Sequence, residues 1–155
     1  MSTDLEKELE QELEQELEQE LDLTQLTLGN ELPLRQHTAT NVSLFMYNAA
    51  VWNAHRIHYD ETYTTEVEGH PAIVIDGPLQ GDWLSQVALN WVGARGSVLN
   101  FSYTNRKASY LGEVLTSGGV ISAIDLHKRS VELTLFIKNE AGEVVTPGTA
   151  TVSFF

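Results

Sequence analysis

A long run of apolar residues at helical spacing, starting just after Gly77 and Pro78, constrains the fold more than any other feature of the chain. Proline is tolerated in the first turn of a helix, where its missing N–H would have no partner, so this dipeptide marks a helix start. The apolar residues that follow recur at offsets of four, five and eight, which covers one broad helical face. The sequence therefore predicts a long central helix that the rest of the chain buries. The residues of that face are Leu79, Trp83, Leu84, Val87, Ala88, Trp91 and Val92.

The carboxyl-terminal half alternates between strand-like segments and turns. In its clearest strand the apolar residues occupy every second position, which is the period of a half-buried strand. A glycine-containing turn at residues 139–143 follows and is typical of a hairpin. The pattern predicts an antiparallel meander. The alternating residues are Val131, Leu133, Leu135 and Ile137, and the predicted strands span residues 97–105, 119–127, 130–139 and 149–155.

A second, shorter helix is predicted before the central one. Thr38 or Thr40 can cap it, and it runs through Ala50 with apolar residues at helical spacing before a loop at residues 53–60. The order is a short strand, a helix, a loop, a long helix and several antiparallel strands. An α+β domain whose sheet wraps around one buried helix satisfies that order. The apolar positions of the shorter helix are Val42, Phe45, Met46 and Ala49.

The charge balance and the absence of cysteine exclude several classes of function. The 155 residues carry 22 acidic and 9 basic side chains, a formal charge of −13, which repels nucleic acids and anionic membrane surfaces. Because there is no cysteine, disulfide scaffolds, thiolate metal sites and cysteine nucleophiles are excluded. No apolar run approaches the roughly 20 residues of a membrane span. We therefore expect one cytoplasmic domain with no nucleic-acid or membrane partner.

Residues 1–23 form an acidic segment that differs from the rest of the chain. They contain ten acids and one base, with leucine at every fourth position from Leu5 to Leu21. On a helix such a leucine stripe drifts by about 40° at each step, so it does not form a heptad seam. Two interpretations stay open: a flexible or partly helical tail that solubilises the protein, or a helix for self-association or partner docking. The folded domain is predicted to span residues 24–155.

The densest cluster of polar residues lies in the loop at residues 53–60, which contains Asn53, His55, Arg56, His58 and Asp60. A neutral imidazole is the natural proton acceptor or donor near neutral pH, and an amide can hold a water molecule without changing charge. A hydrogen-bonded surface loop would have a similar composition. The loop is therefore the first candidate for acid–base chemistry, with the surface loop as the alternative.

A second candidate lies where the apolar segment 72–75 runs into the central helix at Gly77. Backbone N–H groups at a helix N-terminus, with the helix dipole behind them, can stabilise an oxyanion that forms on a carbonyl group. A plain helix-start signal would have the same sequence. His70 and His127 stand alone, and His55 with His58 lacks a third ligand, so we predict neither a metal nor a cofactor.

Together, these motifs resemble the MaoC-like hydratase and dehydratase family of hotdog-fold proteins, particularly its type 2 hydroxyacyl-thioester dehydratase and mesaconyl-CoA hydratase branch. The resemblance covers residues 26–155 and depends on FMYNAAVWNAHRIHYDETY and HPAIVIDGPLQGDWL, with looser support from NFSYTNRKASYLGEVLTSGGV and NEAGEVVTPGTATVSF. It implies an antiparallel sheet around a long helix and a homodimer. It also implies that an acyl-CoA or acyl-carrier-protein thioester binds near the junction of the two subunits.

The resemblance also implies roles for individual residues. His58 falls on the catalytic histidine of the family, Asn53 on its catalytic aspartate, and Gly77 on the glycine whose N–H binds the thioester carbonyl. Asp76 stands where a histidine is usual. Because an amide cannot accept a proton as a carboxylate does, the proton transfer moves to His58, and His55 or Asp60 is the candidate second titrating group.

Further residues are predicted to bind substrate. Arg56 can meet the phosphates of CoA or pantetheine, or it can pair with Asp60 instead. Tyr47 can line the pocket or pack in the core, and His55, Asp76 and Pro78 complete the predicted substrate-binding set.

The leading function is that of a hydro-lyase, an enoyl-thioester hydratase or 3-hydroxyacyl-thioester dehydratase, with His58 as general acid and base. A non-catalytic hotdog subunit that binds acyl thioesters or supports a partner chain is the alternative, for which Asn53 is the best argument. A thioesterase is a third possibility, because Asp82 is the acid on the central helix.

Overall fold

The computed structural model of the chain describes residues 23–155. The acidic tail predicted for residues 1–23 therefore lies outside the described residues except for its last position. Leu23, at that boundary, lies in a short 3₁₀ turn, Leu23–Gln25, and packs into the hydrophobic core. No helix within residues 23–155 is long and apolar enough to cross a membrane.

In the described part of the chain, five strands form one antiparallel sheet in the order β1-β3-β4-β5-β2. The order places β1 and β2 at the two edges and the hairpin strands in the middle. All neighbouring strands are antiparallel, as predicted, but β2 pairs with β5 instead of β3, so the meander consists of β3, β4 and β5. The strands are β1, Arg35–Thr38; β2, Gly96–Tyr103; β3, Val114–Asp125; β4, Ser130–Lys138; and β5, Val144–Phe154.

Two α-helices within residues 23–155 accompany the sheet: α1, Asn41–Ala50, and the central helix α2, Gly77–Val92. Helix α2 contacts β2, β3, β4 and β5, so the sheet surrounds it, and Leu84 at its middle is completely buried. The approach is close at Gly148, where a Cβ atom would lie 2.7 Å from the Leu84 side chain and 2.8 Å from the Ser102 carbonyl. The predicted α+β architecture, with a sheet around one buried helix, is confirmed.

The strand boundaries differ from the predicted ones mainly at the amino-terminal ends of β3 and β5. Gly118 and Gly119 interrupt the apolar pattern of β3, and Pro147 with Gly148 interrupts that of β5. Gly119 is required inside its strand because a Cβ atom there would lie 2.7 Å from the Leu135 side chain. Residues that look like strand breaks are therefore close-packing positions. The alternation in β4 is confirmed, since all four of its predicted inward residues are buried.

Helix α1 begins after Thr40, one of the two predicted caps, but the predicted apolar face of the helix does not join the core. The Thr40 side chain accepts from the Ser43 N–H, and the Ser43 side chain accepts in return from the Thr40 N–H, which forms a capping box. The helix packs through Leu44 and Asn48, both buried. The predicted apolar positions Val42, Phe45, Met46 and Ala49 are exposed in this chain.

Candidate active site

The turn after α1 aims Asn53 towards the central helix. Trp52 adopts φ 58°, and the Asn53 N–H donates to the Asn48 carbonyl at 2.9 Å, so the helix ends in a Schellman motif. Glycine usually occupies the left-handed position of this motif, because other residues pay a steric cost there. The chain instead carries a tryptophan whose side chain is 92% exposed. The turn thus holds Asn53 beside the buried part of the loop.

His58 is fixed by the segment that leads into α2. It closes a short 3₁₀ turn, Arg56–His58, is buried, and places its Nδ1 2.9 Å from the Val74 carbonyl oxygen. The Val74 N–H donates to the Ile57 carbonyl at 3.0 Å, so both backbone polar groups of Val74 are hydrogen-bonded to the loop. Because a carbonyl oxygen can only accept, Nδ1 carries the hydrogen of the neutral ring. The Nε2 lone pair of that ring is then available to take a proton.

Asp76 lies directly beside these two residues. Its side chain is completely buried; Oδ2 accepts a hydrogen bond from Asn53 Nδ2 at 2.8 Å and lies 3.7 Å from His58 Nε2. The other oxygen, Oδ1, has no hydrogen-bond partner among residues 23–155. Asn53, His58 and Asp76 therefore form one contiguous polar group, which the structure assembles from both sequence motifs.

Gly77 begins α2, so its N–H lies at the positive end of the helix dipole. A Cβ atom at this position would lie only 2.3 Å from Asn105 Nδ2, so the amide of Asn105 sits directly over the glycine. The Asn105 side-chain oxygen accepts from the Thr146 hydroxyl at 3.2 Å. Sequence reasoning missed Asn105. It is the last residue of the predicted strand 97–105, and no spacing relates it to Gly77.

The outer residues of the loop make contacts of their own. The Arg56 guanidinium bonds the Asp60 carboxylate, with the closest pair at 2.6 Å, and lies over the Tyr63 ring at 4.2 Å. The backbone N–H of Tyr63 and then the bond from Arg56 lower the pKa of Asp60. His55 is exposed, and its ring lies 5.9 Å from that of His58. The predicted alternative for Arg56, pairing with Asp60, is the one observed in the chain.

Tyr47 is half-buried and joins α1 to the central helix. Its hydroxyl donates to Asp82 Oδ2 at 2.7 Å. Burial, followed by the bond to Asp82, raises the pKa of Tyr47 above its ordinary value. The phenol therefore stays protonated and serves as a donor. Pro78 is exposed in the first turn of α2, beside Gly77.

A mostly apolar pocket of about 270 Å³ opens beside the polar group and shares Asn53 with it. It lies between the exposed side of α1 and the loop that follows. Within residues 23–155 no cluster of three histidines or acids is arranged to hold a metal ion. The pocket offers an apolar ligand a place next to the polar atoms of the site. Its lining residues are Phe45, Asn48, Ala49, Trp52, Asn53, Ala54 and Tyr59.

Comparison with known proteins defines the class to which this fold and site belong. The (R)-hydratase from A. caviae involved in PHA biosynthesis matches with a TM-score of 0.76 at 17% identity, over 84% of this chain and 98% of that one. The chain therefore has the hotdog fold of the MaoC-like hydratases, as its sequence predicts. The family model for hydroxyacyl-thioester dehydratase type 2 matches residues 10–111. The chain belongs to this family.

Two curated relatives match over shorter segments. Mesaconyl-C(4)-CoA hydratase of Chloroflexus aurantiacus is 47% identical over 45 residues, which is 29% of this chain and 16% of the relative. The mitochondrial hydroxyacyl-thioester dehydratase type 2 of Schizosaccharomyces pombe is 45% identical over 42 residues, 27% of this chain and 14% of the relative. The matched segments thus make up less than one fifth of either relative.

Proposed function

We propose that this protein is a hydro-lyase that adds water to an α,β-unsaturated acyl thioester or removes it from a 3-hydroxyacyl thioester. The observation that carries the proposal is the state of His58. The Val74 carbonyl fixes its Nδ1–H, so Nε2 is the basic atom. Nε2 lies 3.7 Å from Asp76 Oδ2, the oxygen that accepts from Asn53 at the start of the central helix. The family membership supports the same class of reaction.

In the direction of hydration, His58 Nε2 takes a proton from water as the water oxygen bonds to Cβ of the enoyl group. Asn53 has two amide N–H donors, of which Asp76 uses one, and the second positions the water. The π electrons of the C=C bond move towards the thioester oxygen, and Cα receives a proton from a second titrating group. The proton on His58 then replaces the one that this group has lost. Dehydration is the reverse, with His58 returning a proton to the leaving hydroxyl.

The negative charge that forms on the thioester oxygen needs donors that are already in place. The Gly77 N–H at the positive end of α2 supplies one. The Asn105 amide, held over Gly77 with its oxygen bonded by Thr146, supplies a second. Removing one such donor typically costs about 2.7–4 kcal/mol of transition-state stabilisation.

The substrate enters through the apolar pocket beside Asn53. We propose CoA or an acyl-carrier protein as the carrier, with the acyl part against the pocket and with His55 and Arg56 on the exposed side of the loop. The rate of hydration of matched enoyl-CoA and enoyl-carrier substrates separates the two carriers. A cytoplasmic location stays a prediction, and the name of the Schizosaccharomyces pombe relative places that protein in mitochondria.

We further propose a homodimer. Strand β2 lies at an edge of the sheet, and its Leu99 is 65% exposed. Long exposed edges invite pairing with another strand, and a second copy of β2 would satisfy them. Light scattering on the purified protein checks this, because a monomer would contradict it.

The test of the proposed activity is the hydration of crotonyl-CoA, followed as loss of the enoyl-thioester absorbance. His58→Gln keeps a polar side chain of similar size but removes the base, so turnover should fall by at least about 10²-fold with an unchanged melting temperature. His127→Gln, on the exposed β3–β4 turn, is the matched control and should retain full turnover. Undiminished activity in folded His58→Gln would rule out the role of His58.

The alternatives predict different outcomes in the same assay. A non-catalytic hotdog subunit would leave crotonyl-CoA and a panel of longer and dicarboxylic enoyl thioesters unchanged, and activity would appear only with a second hotdog chain. A thioesterase would release free thiol, and Asp82→Asn would abolish the release.

A further inference from the structure

Asp76 is an acidic residue of the site that the mechanism above leaves without a step. It immediately precedes α2, at the position where an aspartate side chain ordinarily accepts from the first free N–H groups of a helix. Within the described chain its side chain makes no such bond. The carboxyl group instead turns away from the helix, towards Asn53 at 2.8 Å and His58 at 3.7 Å.

Burying a carboxyl group in this arrangement costs folding free energy that a purely structural role would not explain. The Asp76 side chain is fully buried, and Oδ1 finds no hydrogen-bond partner in residues 23–155. Buried polar atoms are nearly always paired, and an unpaired one calls for an explanation such as a role in chemistry. A free carboxyl oxygen next to a basic imidazole nitrogen is available to carry a proton.

The other candidate acids and bases are less well placed. Asp60 is held by Arg56 and by the Tyr63 N–H, in an ion pair on the outer side of the loop. His55 is exposed, and its Nδ1 accepts from the Ile57 N–H. Asp76 is the acid whose oxygen lies against His58 Nε2.

We propose that Asp76 is the second acid–base group of the site and supplies the carboxyl group that Asn53 lacks. The proposal rests on the hydro-lyase function proposed above. Compared with an aspartate at position 53, the acid of this chain lies at the other end of one 2.8 Å hydrogen bond. The carboxyl group of Asp76 is 3.7 Å from His58 Nε2.

Every proton that moves in this step has a donor and an acceptor. His58 Nε2 takes one proton from water while the water oxygen bonds to Cβ and the π electrons form the enolate. The carboxyl proton of Asp76 passes to Cα as the enolate collapses to the thioester. The proton on His58 then passes to the Asp76 carboxylate, so the pair ends the turnover with the one proton with which it began. Water has been added across the double bond, and no other reactant is consumed.

Three variants test the proposal in the full chain: Asp76→Asn, Asn53→Asp, and the double exchange Asn53→Asp/Asp76→Asn. Asp76→Asn keeps the shape of the side chain and the hydrogen-bonding capacity towards residue 53, but it cannot carry the proton. We expect kcat/KM to fall by about 10²–10⁴-fold, the range for loss of a general acid or base. The double exchange restores one acid beside His58 and should recover at least tenfold over Asp76→Asn. Asp125→Asn, on the β3–β4 turn, is the matched control and should behave as wild type.

A second measurement isolates the proton transfer to carbon. Butyryl-CoA cannot lose water, yet an enzyme that binds its carbonyl and handles the α-proton exchanges that proton with D₂O. We expect exchange in the wild type, its loss in folded Asp76→Asn, and its partial return in the double exchange. If Asp76 only holds Asn53 in place, Asp76→Asn keeps hydration and exchange, because the asparagine oxygen still accepts from Asn53 Nδ2. That result overturns the assignment of Asp76 and leaves His58 untouched. A wild type that neither hydrates any enoyl thioester nor exchanges the α-proton overturns the proposed function itself.

Discussion

Gly77→Ala offers a test of the oxyanion site that removes no polar atom from the chain. The new methyl group would lie 2.3 Å from Asn105 Nδ2, whereas ordinary contact begins at 3.4 Å, so the amide must move by about 1 Å. Asn105 is exposed and its amide is the far end of a flexible side chain, so the move costs little folding free energy. Displacing a catalytic donor by about 1 Å costs on the order of 10²-fold in rate, or about 2.7 kcal/mol. We therefore expect kcat/KM for crotonyl-CoA to fall by about 10²-fold.

The thermal stability of Gly77→Ala should equal or exceed that of the wild type, because alanine is the better helix former by up to about 1 kcal/mol. Asn105→Ala and the double variant Gly77→Ala/Asn105→Ala complete a cycle. If the methyl group acts by displacing Asn105, the double variant should have the rate of Asn105→Ala alone. Multiplicative losses in the double variant, or an undiminished rate in folded Asn105→Ala, would refute the reasoning.

The remaining predictions concern stability. Trp52→Gly should raise the free energy of unfolding, measured in urea, by about 1 kcal/mol. The change relieves the left-handed strain at φ 58°, and the residue it removes is 92% exposed. A lower stability would show that the contacts of the indole ring stabilise the fold by more than the strain destabilises it. Burial and then Arg35 lower the pKa of His37, so below the ordinary pKa near 6.5 the unfolded chain binds more protons than the folded one, and stability should fall as the pH drops from 7 to 5. His37→Gln should flatten that part of the profile, and an unchanged slope would contradict the assignment.

The architecture could be predicted from the sequence because its main elements have strong periodicity. The apolar face of the central helix and the alternation of β4 each recur over enough residues to outweigh local breaks. The starts of β3 and β5 were mispredicted for the opposite reason. Glycine and proline ordinarily end strands, and only the positions of Leu84 and Leu135 in space explain why these residues lie inside them. Such contacts have no counterpart in local sequence.

The polar site could be predicted only in part. His58, Asn53 and Gly77 belong to recognisable motifs, and the structure brings all three to one end of α2. The orientation of Asp76 towards the loop could not be predicted, because a helix-capping aspartate and an inward-facing one have the same sequence. Asn105 approaches from a distant strand end, which a linear pattern does not encode.

The hydrogen bonds of Val74 determine where the chain between His58 and Gly77 can change in length. The Val74 N–H donates to the Ile57 carbonyl, the Val74 carbonyl accepts from His58 Nδ1, and Val74 forms a β-bridge with Tyr110. These hydrogen bonds link the imidazole directly to the segment that leads into α2. Residues 61–72 therefore form a segment whose two ends are held together by these bonds, whatever the conformation of the segment between them. Insertions or deletions there should leave the spacing between His58 and Gly77 unchanged, whereas a single residue added between 74 and 77 should separate them. The length of segment 61–72 can therefore change without rebuilding the polar group of Asn53, His58 and Asp76.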